Sequence, residues 1–264
     1  MGDDVLIGDH LGAYRVTGGG GERGYSAVHR HTGRRVQLFV ARNQAGGARK
    51  LFERTRMFEA LPHPGIARVV DRGVLADHRA WLAIDVPNGL PLFELVARRP
   101  LPSAEVAQLV HDVADVLAFA HDRGIAHGSL TLRSVVVTTG ARAFPVAIVD
   151  FGIAAGDPAG DLLALGTIAY RAVTQLFPTA SVEAVPGATP ELAELIIAML
   201  SREPSERPTA VAVRAAARVA SIEPDDHAHA APRWSAPRWT PAPPITSDAR
   251  ATVSGEIVTT DRER

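Results

Sequence analysis

His121 to Gly152 reads HDRGIAHGSLTLRSVVVTTGARAFPVAIVDFG, and the rest of the chain can be placed from it. Gly124 stops the helical periodicity that precedes it, since glycine readily takes the left-handed conformation that ends helices. Ile125 and Ala126 lead into His127-Gly128-Ser129-Leu130. Thr131, Leu132, Arg133 and Ser134 follow, and then the β-branched run Val135-Val136-Val137, a residue type that favours strands. The apolar run Val146 to Val149 predicts a second strand, so the two form a hairpin that delivers Asp150-Phe151-Gly152.

The spacing resembles the catalytic loop of bacterial serine/threonine protein kinases, H-R-D-L-x-x-x-N, followed by a hairpin and D-F-G. His127, Leu130 and Asp150-Phe151-Gly152 keep that pattern. The resemblance implies an α+β, protein-kinase-like bilobal fold. Its small β-rich N-lobe covers residues 10–88 and its helical C-lobe covers 89–220, with a shortened activation segment; a disordered Pro/Ala-rich tail covers 221–264. The resemblance also puts Ser129 where the family's catalytic aspartate stands, Thr131 where a lysine stands, and Ser134 in place of the asparagine that helps hold magnesium. A positioned general base contributes roughly 10²–10⁴-fold, and a serine hydroxyl has no useful basicity at neutral pH. Asp150 is left as the one obvious metal ligand, a thin site for Mg²⁺ even though that ion keeps several waters. The expectation is a degenerate member of the family, a pseudokinase.

The composition suits an ordinary soluble protein: 264 residues, 46% apolar, 5% aromatic, net charge −1. That balance points to neither nucleic acid nor a membrane surface. With no cysteine there is no disulfide or thiolate metal site. No secretion signal is visible and no apolar run nears the roughly 20 residues that span a bilayer, so a cytoplasmic location is expected, although the domain could be tethered within a longer membrane protein. Lys50 is the only lysine, which shortens the search for a catalytic one.

In the first third, strands are predicted at Tyr14–Val16, Tyr25–Arg30 and Arg35–Ala41, with turns at the glycines and at His31-Thr32-Gly33. The glycines Gly18 to Gly21 and Gly24 sit where a phosphate-covering loop would sit; a plain flexible hairpin is the reading favoured over phosphate contact. Val36-Gln37-Leu38-Phe39 lies where the family has V-A-x-K, so the ATP-pairing lysine becomes Phe39 and the adenine-facing alanine becomes Gln37. An amphipathic helix is expected from Lys50 to Leu61, with Arg54 in place of the lysine's glutamate partner. Strands at Ala67–Val74 and Ala80–Val86 follow. Asp85-Val86-Pro87 would be the hinge, placing Asp85 and Val86 with Gly18, Gly20 and Gly24 as nucleotide contacts if any nucleotide binds.

Ser103 is the expected N-cap of a long helix that buries Val106, Leu109, Val110, Val113, Val116, Leu117 and Ala120. Only eight residues separate Gly152 from Asp161, where Asp161-Leu162-Leu163-Ala164-Leu165-Gly166 resembles the D-x-x-x-L-G of the family's central helix. On that alignment the activation loop, the peptide-binding loop and A-P-E are deleted. Between Phe177 and Pro190 the sequence is turn-rich, which cuts down the substrate-docking helix. A further helix is predicted at Glu191–Leu200. Arg207-Pro208-Thr209 resembles the late R-P-T, making Arg207 a candidate for a buried salt bridge. His127, Phe151 and Phe58 match positions that stack between the lobes, and Asp161 matches the residue bracing the catalytic loop. His127 is expected to be a satisfied core histidine.

In the tail, Ala231-Pro232-Arg233-Trp234 is repeated as Ala236-Pro237-Arg238-Trp239. The two tryptophans are either partner anchors or fold back onto the domain. Thr240, Thr246, Thr252, Thr259 and Thr260 are candidate phosphorylation sites, readable by an FHA domain. Mycobacterial-type pseudokinases attached to the MviN lipid flippase, which this chain is similar to, imply such a partner, with a kinase to modify the tail. Three functions stand at this point: a non-catalytic scaffold in phosphosignalling, a divergent serine/threonine kinase, and a nucleotide sensor. The resemblance implies Mg-ATP as cofactor; the losses at Phe39, Ser129 and Ser134 argue for none.

Overall fold

A computed structural model of the chain describes residues 8–19, 24–41, 49, 51–53, 55, 62–139, 144–151, 156–179 and 181–221. All belong to the first of the two units into which the chain divides, Met1–Asp226; the second, His227–Arg264, lies outside the described residues. The expected tail positions Trp234, Trp239, Thr240, Thr246, Thr252, Thr259 and Thr260 therefore lie outside them too, as do Gly20, Lys50, Arg54, Phe58 and Gly152.

Period-two alternation builds the first layer. Tyr14 and Val16 are buried and Arg15 and Thr17 exposed along strand β2, Tyr14–Gly19, which follows the short β1, His10–Leu11. Strands β3, Tyr25–His29, and β4, Arg35–Val40, continue the pattern. With β5, Val69–Val74, and β6, Ala80–Asp85, they form a six-stranded antiparallel sheet in the order β1-β2-β3-β4-β6-β5. One face gathers Leu11, Tyr14, Val16, Tyr25, Ala27, Val36, Leu38, Trp81 and Ala83 into a core. The opposite face buries Phe39, Leu82 and Ile84 under Leu51 and Phe52. Of the helix expected at 50–61, residues 51–53 and 55 are described and helical, and the Thr55 hydroxyl donates back to the Leu51 carbonyl at 3.0 Å.

A smaller sheet, β7-β8-β9, joins Gly89–Pro91, Val135–Thr138 and Val146–Ile148. It is fastened to the segment before β5: the Ile148 N–H donates to the Gly65 carbonyl (2.7 Å), and the Ala67 N–H to that of Ile148 (2.9 Å). The expected hairpin at 135–149 is therefore present, with β7 added along its edge.

The helices follow. Helix α1, Leu92–Arg98, precedes the long α2, Ser103–His121. All seven apolar positions expected to face inward on α2 are buried, the six valines and leucines among them each contributing about 1.5–3 kcal/mol by leaving water. Its N-cap is Pro102, not Ser103. Ser103 opens the first turn, and its Oγ accepts the N–H of Thr189 at 2.9 Å instead of capping its own helix. Gly124, at φ +71°, ends the turn after α2. Helix α3, Pro158–Thr174, is capped by Asp157, whose carboxylate accepts the Gly160 N–H at 2.9 Å. Helices α4, Pro190–Met199, and α5, Ala210–Ala220, complete the fold. No helix or strand forms at the described residues between Phe177 and Thr189. Arg207 makes no salt bridge among the described residues; its guanidinium donates to the carbonyls of Ala159 (2.9 Å), Ser201 (2.9 Å) and Arg202 (3.4 Å). Main-chain carbonyls of the first turn of α3 and of the turn after α4 thus take the guanidinium donors in place of a carboxylate.

Candidate functional site

Asp161 lies in the first turn of α3 and is 1% exposed. A carboxylate so placed needs donors, and three converge on it. The N–H groups of His127 and Gly128 donate to its two oxygens at 2.7 and 2.9 Å, and His121 Nε2 is 2.9 Å away. The loop from His127 onward is thus hung from one buried side chain, favoured further by the helix N-terminus.

His127 is fully buried. Its Nε2 donates to the Val149 carbonyl at 2.9 Å, and its Nδ1 accepts the Ser129 N–H at 3.2 Å. That pair of bonds selects the neutral Nε2–H tautomer, and burial pushes the imidazole below its ordinary pKa. The Phe151 ring meets it edge-on, centroids 4.8 Å apart. With both nitrogens committed, His127 has no lone pair free for a substrate proton.

Asp150 has φ +71°, rare for a residue with a Cβ, and its Oδ1 is buried without a hydrogen-bond partner. Burial pushes the carboxyl up to about 7. Ser129 and Thr131 are exposed on the loop, and Ser134 is buried. The Thr131 and Ser134 hydroxyls bond each other at 3.2 Å, and Thr131 Oγ1 accepts the Arg133 N–H. The Arg133 guanidinium stacks 4.0 Å over the Phe93 ring. These hydroxyls serve the loop's own shape.

On the sheet side, Phe39 is 7% exposed and pairs across strands with Leu82. Its ring reaches under the glycine turn: a Cβ added to Gly24, at φ +74°, would lie 3.4 Å from Phe39 Cε1 and 2.5 Å from the Leu38 carbonyl oxygen. Gly18 stands opposite Ser26, and the half-buried Gln37 lies between Ser26 and Ile84. The Asp85 carboxylate is held by Arg34 through two bonds, at 2.9 and 2.6 Å. The link to the helices is also spent. The Asp85 N–H donates to Arg68, the Val86 N–H to Arg35, and Pro87 has none. No main-chain N–H of residues 85–87 is left for a ligand, a consequence legible in Pro87 had the donors been counted.

Two features escaped sequence reasoning. Asp115 on α2 holds Arg214 of α5 at 2.5 Å and faces His63 Nε2 at 3.5 Å. The His63 ring sits between Phe119 and Phe144, and burial holds its pKa below the ordinary value. The other is the contact of Gly156 with Gly128, where a Cβ on Gly156 would meet the Gly128 Cα at 2.2 Å. Among the described residues no group of three or more His, Cys, Asp or Glu converges as a metal site, and no helix is long and apolar enough to cross a membrane.

No protein-family model matches the chain. Among curated proteins it is similar to serine/threonine-protein kinase pkn2 of Myxococcus xanthus, 31% identical over 157 residues, or 58% of this chain and 19% of that protein. It is 34% identical over 149 residues to PknI of Mycobacterium tuberculosis, covering 54% of this chain and 25% of the relative. With PknF of the same organism it shares 31% over 173 residues, 61% of this chain and 36% of the relative. The chain spans between a fifth and about a third of the length of these curated relatives. These three relatives are bacterial serine/threonine protein kinases, and they support a protein-kinase-like domain.

Proposed function

We propose that this chain is a protein-kinase-like domain of the bilobal type that has lost phosphotransfer, a pseudokinase acting as a scaffold or regulator in bacterial serine/threonine phosphosignalling. The observation that carries the reading is the loop hung from Asp161: Ser129 stands where the resemblance implies the catalytic base, and both nitrogens of His127 are already bonded. Phe39 adds to it, since an apolar ring occupies the strand position of the phosphate-pairing lysine. So do residues 85–87, which leave no N–H for an adenine ring. The donor set for Mg²⁺ is a poor fit: one carboxylate, Asp150, with the Ser134 hydroxyl already bonded to Thr131. A cytoplasmic setting, a kinase that modifies the tail threonines and an FHA-domain partner, as in the MviN-attached pseudokinases, belong to this proposal.

A divergent kinase, or a nucleotide sensor, is the second reading. The unpartnered Asp150 Oδ1 favours it, because a buried bare oxygen is what a cation would seek. Thermal unfolding of the full chain across an ATP titration, with and without Mg²⁺, separates the readings. A ligand at about 100 times its Kd stabilises by roughly 2.7 kcal/mol, so a flat midpoint is expected for the scaffold. A magnesium-dependent rise, with autophosphorylation that Asp150→Ala abolishes, would establish the kinase instead.

A further inference from the structure

The pairing of β1 to β4 puts His10 opposite Arg15, Arg15 opposite Val28, and Val28 opposite Arg35. These four residues therefore form one cross-strand row. The row lies on the face opposite the Tyr14, Val16 and Val36 core, since each of its members neighbours a residue of that core. His10, Arg15 and Arg35 are exposed, while Val28 between the arginines is half-buried. Neither the two arginines nor His10 holds a carboxylate among the described residues, whereas Arg34, Arg79, Arg99 and Arg214 each do. Over the described parts of residues 8–41 the sequence has four arginines and three histidines against one carboxylate, Asp9. The near-neutral net charge of the whole chain conceals this local excess.

We propose that this row is a docking strip for an acidic, extended segment of a partner protein. Strands lie about 4.8 Å apart, so His10 to Arg35 spans roughly 14 Å, and an extended peptide advances about 13–14 Å over four residues. Acidic side chains at alternate positions i, i+2 and i+4 thus cover the row, with Val28 as an apolar floor between two guanidinium groups. Arginine suits the task because its planar fork takes a carboxylate through two hydrogen bonds. The strip deepens the scaffold reading by naming a partner class and rests on it only in assigning a protein as ligand.

The test is fluorescence anisotropy of the full chain with a labelled peptide that alternates glutamate and serine and carries three glutamates, at about 50 mM salt, where a Debye length exceeding 10 Å leaves such attraction intact. Binding is expected to vanish when glutamine replaces glutamate. It should fall about tenfold in the Arg15→Ala/Arg35→Ala variant, two exposed pairs of up to roughly 1 kcal/mol each, and be lost in Arg15→Glu/Arg35→Glu. Arg98→Ala/Arg99→Ala is expected to leave it unchanged. Equal affinity in the charge-reversed protein would overturn the proposal, as would equal weakening by the Arg98/Arg99 variant, which would mean charge without a site. A single-stranded DNA oligomer that bound as tightly, with the same dependence on Arg15 and Arg35, would replace the acidic peptide by nucleic acid. No phosphotransfer is read, so failure here leaves the catalytic reading untouched.

Discussion

The backbone of Gly156 lies directly against that of Gly128, so that a single added methyl would sit 2.2 Å from a Cα. The residue after His127 and the residue before the Asp157 cap of α3 can approach this closely because neither has a side chain, and Gly128 also takes φ +79°. In the kinase pattern an arginine stands at the Gly128 position. On the kinase-like reading proposed above, this chain carries glycine there instead.

Gly156→Ala is therefore expected to destabilise the protein by about 1–3 kcal/mol, the range for forcing atoms into a packed site. Urea unfolding of the full chain measures it. An unchanged midpoint would show that the two loops can part freely.

Replacing Asp161 by Asn leaves at most one acceptor oxygen for three donors. A loss of about 2–4 kcal/mol is expected, at roughly 1–3 kcal/mol for each buried donor left unpaired. Hydrogen exchange at the His127 and Gly128 amides should accelerate more than exchange within α2.

Asp150 makes stability depend on pH in a definite direction. Its folded pKa of about 7 lies above the ordinary 3.8, so the folded state holds a proton that the unfolded state has released. Stability from this group is complete below pH 4 and is lost as pH rises to about 7, by on the order of 4 kcal/mol. His127 acts in the opposite sense, because its lowered pKa removes stability as pH falls. Comparing wild type with Asp150→Asn at pH 5 and pH 8 isolates the first effect: the substitution should stabilise at pH 8 and do little at pH 5.

Phe39→Ala removes a ring packed on Leu82 and Ile84 and is expected to cost about 3–5 kcal/mol. It should not confer ATP binding, since residues 85–87 still offer no donor. An ATP-dependent rise in the unfolding midpoint of this variant would show that the ring alone blocks the nucleotide.

Much of the architecture is legible in the sequence where a period repeats often enough to be counted. Strands β2 to β4 alternate over five or six residues, and α2 repeats its apolar stripe for five turns. Elements without such a record were missed: β1 has two residues, β7 three and α1 only seven. Ser103 misled because a serine before an apolar run signals a cap, while its hydroxyl is claimed by Thr189 from 86 positions away. At the site, motif spacing located His127, Asp150 and Asp161. The contact of Gly128 with Gly156, the Arg34–Asp85 pair and the row from His10 to Arg35 depend on which strands and loops meet, and a single sequence does not contain that information.

The bond from Arg214 to Asp115 bears on where the polypeptide can be cut. Asp115 also faces His63, whose Nδ1 accepts the Gly65 N–H, and the Gly65 carbonyl in turn takes the N–H of Ile148 just before Asp150. A fragment that ends before α5 would leave Asp115 without its guanidinium partner and strip the cover from α2. The shortest piece worth expressing on its own thus runs through Ser221, where α5 closes.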